Sequence, residues 1–190
     1  MSEPSTRDRL IDAAFRVVAR EGLEAASVKS IAAEAGVTPG LMHYHFPCKE
    51  ALMEAALRRG LEEYVEVSRA RRAKHSGEAL LDAFFADARA AATVDADFFR
   101  VRLAFAARAL THPALAVVLR TLTDAAVEET ALTLAAAAGR DVPTDHDRLT
   151  ARALKAAFDG YMLAALTDPA FPLEGAARLL VDAVGRSRGP

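Results

Sequence analysis

Residues 27–46 read SVKSIAAEAGVTPGLMHYHF, and their punctuation decides the fold. Ser27 is a good N-cap for a helix over Val28 to Ala35, because a side-chain oxygen can accept from the unpaired amides of the first turn. Gly36 falls where the chain must reverse, at a position favouring positive φ, which glycine adopts without a Cβ clash. Thr38 and Pro39 read as the cap and first residue of a third, very short helix that stops before Pro47. Two short helices about a tight glycine turn have the arithmetic of a helix-turn-helix. Ile31, Ala35, Val37, Met42 and Phe46 are expected to meet in one small core, with Ala32 and Ala33 permitting close helix approach. At 100° per residue, Pro39, Gly40, His43 and Tyr44 fall within about 140° of one another, roughly opposite Met42.

That arc offers a ring, a bare backbone, an imidazole and a phenol. It has the character of a recognition surface, and double-stranded DNA is the natural ligand. A major groove admits one α-helix, and residues near its amino-terminal end reach base edges first. Phosphate donors are expected from Ser27 and Thr38 with the helix ends they cap, and from Lys29, Tyr44, His45 and Lys49. Bulk charge contributes nothing to this reading. The chain carries 24 basic and 26 acidic residues, and its first fifty residues are near neutral, so any DNA contact rests on geometry.

Working outward, Ser5 with Asp8 three residues on opens an earlier helix that runs through Leu10, Ile11, Ala14, Phe15 and Val18 to Gly22. Beyond Lys49 the units lengthen to about 49–72, 77–93, 96–110, 113–139, 146–167 and 173–186, divided by glycine, proline and aspartate breakers. Alanine supplies 44 of the 190 residues, Trp is absent and no strand-like alternation appears, so the expected class is all-α. Its expected form is an amino-terminal three-helix helix-turn-helix unit, residues 4–64, joined by a shared helix to a larger helical domain, residues 65–190. Cys48 is the single cysteine, and no run approaches the roughly 18–20 apolar residues of a membrane-spanning helix. With no secretion-signal core near the start, the expected compartment is the cytoplasm, with no membrane partner.

Over about residues 7–57 the sequence resembles the TetR family of transcriptional regulators. The resemblance is carried by Arg9-Leu10-Ile11-Asp12-Ala13-Ala14, Gly22, Ser27-Val28, Ile31-Ala32, Ala35-Gly36-Val37, Gly40, His45-Phe46, Lys49-Glu50 and Leu52. It implies a homodimeric repressor released from DNA by a small molecule, with the larger helical domain, residues 65–190, serving ligand binding and dimerisation, and it carries DNA contacts onto Ser27, Thr38, Pro39, Gly40, His43, Tyr44, His45 and Lys49. Three positions depart from the family pattern. His43 stands where Tyr is common, Leu41 offers no phosphate donor, and Cys48 replaces a capping hydroxyl before Lys49.

In the larger domain, aromatic residues mixed with many alanines suit a bundle in which a cavity can open. Phe84, Phe98, Arg102, Phe105, Arg108, His112, Phe158, Asp159 and Tyr161 are its candidate ligand contacts. The last two long helices are expected to form the dimer face, Ala153, Ala156, Ala157, Gly160 and Ala164 allowing close approach and Leu149, Leu154, Leu179, Leu180 and Val184 supplying bulk. Leu57, Leu61 and Tyr64 are expected in the bundle, linking it to the recognition helix. The Arg69, Arg71, Arg72 and Lys74 cluster reads as a solvated helix end. Asp145-His146-Asp147 reads as a capped helix start under Thr144 and not as a metal site, since successive helical residues point in different directions. No nucleophile–base set or phosphate loop appears, so neither enzyme nor cofactor is expected. The rival readings are a dimeric helical interaction module without DNA binding, and a helical enzyme or metal-binding bundle.

Overall fold

A computed structural model describes residues 4–94 and 96–186, except for the side chains of 89, 91–94 and 181–186. Among the described residues the chain forms nine helices and no strand: α1 (Thr6–Glu21), α2 (Val28–Glu34), α3 (Pro39–His45), α4 (Lys49–Lys74), α5 (Gly77–Val94), α6 (Ala96–Ala109), α7 (Pro113–Ala137), α8 (Asp145–Thr167) and α9 (Leu173–Arg186). The all-α class is as expected, and each long helix lies within two residues of its expected bounds.

The helix ends form where the sequence marks them. Ser5 caps α1, accepting from the Asp8 amide at 3.2 Å. Ser27 accepts from the Ser30 amide while Ser30 Oγ accepts from the Ser27 amide, so α2 opens on a closed capping box. Thr144 and Asp147 repeat the device at α8.

The chain divides into two compact units that are not contiguous in sequence. Among the described residues, the first comprises 4–62 and 97–122, the second 63–94, 96 and 123–186. The boundary within α4 lies between Glu62 and Glu63, and residues 97–122 group with the amino-terminal unit. The reason is packing. Val101, Phe105 and Leu122 are buried in one cluster with Leu10, Ile11, Val17, Ile31, Met42, Leu52 and Met53. Leu57 and Leu61 belong to that same core and not to the bundle, as had been expected of them. Each large side chain so buried contributes about 1.5–3 kcal/mol, more than three short helices gain from propensity.

The second unit has its own core of Phe84, Phe85, Val127, Ala131, Leu134, Ala151 and Leu154. Here the cluster of Arg69, Arg71, Arg72 and Lys74 on α4 departs from expectation. Arg69 and Lys74 are solvated, but Arg71 is only 5% exposed, its Nε donating to Asp87 at 2.8 Å, and Arg72 donates to Glu129 at 2.8 Å. Successive helical residues point in different directions, and two of these four point inward.

Candidate nucleic-acid interface

The turn at Gly36 is built as the sequence demands. Its φ is +68°, the Val37 amide donates to the Ala32 carbonyl at 2.9 Å and the Gly36 amide to the Ala33 carbonyl at 3.1 Å. This is a Schellman ending, in which two otherwise orphaned carbonyls are satisfied by the reversing chain. It sets α3 against α2 so that Ile31, Ala32 and Met42, all fully buried, share a core with Ala35 and Phe46, with half-buried Val37 packed against it. Ala33 departs from expectation and is exposed.

With Met42 turned in, the opposite face of α3 turns out. Pro39, Gly40, His43 and Tyr44 are all exposed, Tyr44 to 82%. Ser27, Lys29 and Thr38 are exposed as well, and Thr38 accepts from the Leu41 amide at 3.3 Å as the cap of α3. His45 is half-buried, its ring edge-on to Tyr44 at 5.2 Å between centroids. It borders a groove of about 370 Å³ between α1 and α4, whose walls include Arg7, Phe46, Arg58 and Arg59. The Arg7 guanidinium lies 5.3 Å from the Phe46 ring centroid. Reading the sequence alone missed Arg7, because nothing local reveals that α1 starts beside the end of α3.

Lys49 is the site residue whose surroundings differ most from expectation. Its Nζ donates to the carbonyls of Leu23 at 2.6 Å and Ala26 at 2.9 Å, in the loop that leads into α2. Two of its three donors are thus committed to holding that loop.

The nine candidate ligand contacts divide between the units. Phe98, Arg102, Phe105, Arg108 and His112 lie in the first, Phe84, Phe158, Asp159 and Tyr161 in the second, so neither unit gathers the set. Phe105 and Phe84 are core residues. Arg108 and Phe105 border a cavity of about 120 Å³ with Lys49 and Glu50, while His112 Nδ1 stays within its own turn, 2.9 Å from Thr111 Oγ1. Asp159 pairs with Lys155, and Tyr161 packs against Phe171 at 6.1 Å between ring centroids. Arg102 and Phe158 are half-buried.

Residues 10–56 match the family described as bacterial regulatory proteins, tetR family, and residues 75–188 match the carboxy-terminal domain of BetI-type transcriptional repressors. The chain belongs to the TetR family. This TetR-family chain is 31% identical to the HTH-type transcriptional regulator BetI of Stenotrophomonas maltophilia, over 85% of its own length and 81% of that protein. It is 32% identical to the HTH-type nicotine-responsive transcriptional repressor HdnoR of Paenarthrobacter nicotinovorans, over 90% and 89% of the two chains. The solved structure of the multidrug binding protein EbrR with ethidium is 33% identical, with a TM-score of 0.69 over 95% of this chain and 99% of that one. The chain is a helix-turn-helix transcriptional regulator of a family that binds DNA and small-molecule effectors as dimers, and its relatives are regulators and not enzymes. Among the described residues, no helix is long and apolar enough to cross a membrane.

Proposed function

We propose that this regulator is a cytoplasmic repressor that binds a pseudo-palindromic operator as a homodimer and is released by an amphipathic, ring-bearing small molecule. One observation carries the DNA reading: the buried Met42 fixes α3 so that Pro39, Gly40, His43 and Tyr44 face outward together. His43 and Tyr44 meet base edges, with Pro39 and Gly40 letting the helix end approach closely. Ser27, Lys29, Thr38 and His45 contact phosphates on either side, with Arg7 beside them. Lys49 acts chiefly by holding the loop before α2.

The effector class follows relatives whose names and structures involve nicotine, ethidium and proflavin. The dimer reading is supported by α8, where Leu149, Ala153, Ala156, Gly160 and Leu163 form one exposed stripe, with Leu179 exposed on α9. Leu154 and Leu180 face the unit's own core, so they drop out of the proposed face, and the side chain of Val184 lies outside those described. The deciding experiment is selection of bound duplexes from a random pool. A two-fold symmetric consensus is the expected result, and the absence of any enriched duplex at low salt would defeat the reading.

A further inference from the structure

Among the described residues, two buried side-chain atoms on α4 within the second unit have no hydrogen-bond partner: Ser68 Oγ and Arg71 Nη1. Ser68 is fully buried and Arg71 is 5% exposed. Three residues apart on a helix, they lie on one face. Polar groups beside them on α4 are engaged. Arg71 Nε donates to Asp87 at 2.8 Å, Arg72 donates to Glu129 at 2.8 Å, and Tyr64 Oη pairs with Thr130 at 2.8 Å. The Arg71 guanidinium also lies 5.3 Å from the Phe84 ring centroid. Buried donors are seldom left unmet, because their desolvation is then uncompensated, so two on one helix face call for an explanation.

We propose that Ser68 and Arg71 form the polar end of an effector site that takes the carbonyl oxygen of a neutral, ring-bearing ketone, lactone or amide. A guanidinium only donates, so the missing partner is an acceptor, and a carbonyl oxygen has a lone pair for each of the two donors. Charge decides between acceptors. Arg71 already faces Asp87 and Arg72 faces Glu129, so a carboxylate would add an unbalanced negative charge to a buried region, while a cation would meet two guanidinium groups. Phe84 supplies an apolar wall for the ring. Both atoms are sealed from solvent, so entry requires α4 and α5 to part locally, as a cryptic pocket does. The inference rests on the ligand-responsive reading above and departs from the amine and cationic compounds named for its relatives.

Acetophenone, benzoate and benzylamine share a phenyl ring and differ in the group presented, and each is titrated against the full chain, Ser68→Ala and Arg71→Met. Acetophenone is expected to bind tightest and to weaken about tenfold in Ser68→Ala, which is about 1.4 kcal/mol. Unliganded Ser68→Ala should melt higher than the unmodified chain, since its unmet hydroxyl is gone. Benzylamine binding as tightly, acetophenone binding unchanged in both variants, or no binding of any probe would overturn the site. Operator release, measured in parallel, separates the two ideas. A compound that releases Ser68→Ala from DNA as readily as the unmodified chain keeps the ligand response and sinks this site. Ser68-dependent acetophenone binding without release keeps the site and sinks the response.

Discussion

Lys49 and His43 lie at opposite ends of a short stretch of chain, and their side chains have different work. Lys49 clasps two loop carbonyls in a part-buried setting, where charge-assisted bonds contribute about 1.5–3 kcal/mol each. Lys49→Ala is expected to lower stability by about 1–3 kcal/mol in denaturant titrations. Unchanged stability with a salt slope reduced by about one unit would instead make it a plain phosphate contact. His43 is exposed, so His43→Ala should leave the melting curve alone and weaken the preferred duplex by about 1–3 kcal/mol, other duplexes less. Asp147 gives a pH signature. Bidentate bonding from Arg140 at 2.6 and 2.9 Å, then the Thr144 hydroxyl and amide, hold its carboxyl far below the ordinary carboxylate range. A depressed folded value means stability that is present above the unfolded value near pH 4 and is lost as pH falls below it. Acid unfolding should therefore steepen below about pH 4, and Asp147→Asn should flatten it while lowering stability at neutral pH.

At the scale of elements, the sequence was most legible where a helix begins or ends. Ser5, Ser27, Thr38 and Thr144 each cap the helix they were expected to cap, because a cap is a local bond between residues two or three apart. Which face of a helix is covered was less legible, as Arg71 and Ala33 demonstrate. Gly60 is the sharpest case. An added Cβ there would lie 2.4 Å from Phe98 Cε2, and that ring is stacked on Phe15 at 5.9 Å between centroids and edge-on to Phe99 at 5.4 Å. Helix propensity alone predicts that Gly60→Ala stabilises by about 0.5–1 kcal/mol. The held ring reverses the sign, so a net loss of about 1–3 kcal/mol is expected by thermal unfolding. Phe98→Leu in the same chain should recover part of it.

For the whole molecule, the proposed two-fold assembly draws on an α8 stripe that is exposed among the described residues. Leu163 is 51% exposed and Leu149 67%, with Ala156 and Gly160 between them allowing a second helix to approach. Ala156→Arg with Leu163→Arg should give a monomer by light scattering at micromolar concentration and a loss of operator affinity. A dimer that survives both changes places the interface elsewhere.

The sequence by itself determined the all-α class, the helix ends, the helix-turn-helix and the outward arc of α3, since these depend on residues within about a turn of one another. Tertiary structure decided that Val101, Phe105 and Leu122 complete the amino-terminal core, that Lys49 clasps Leu23 and Ala26, and that Arg71 is buried with an unmet donor. Each of these joins residues at least sixteen positions apart or depends on such a neighbour, and local periodicity carries no information about which helix covers which face.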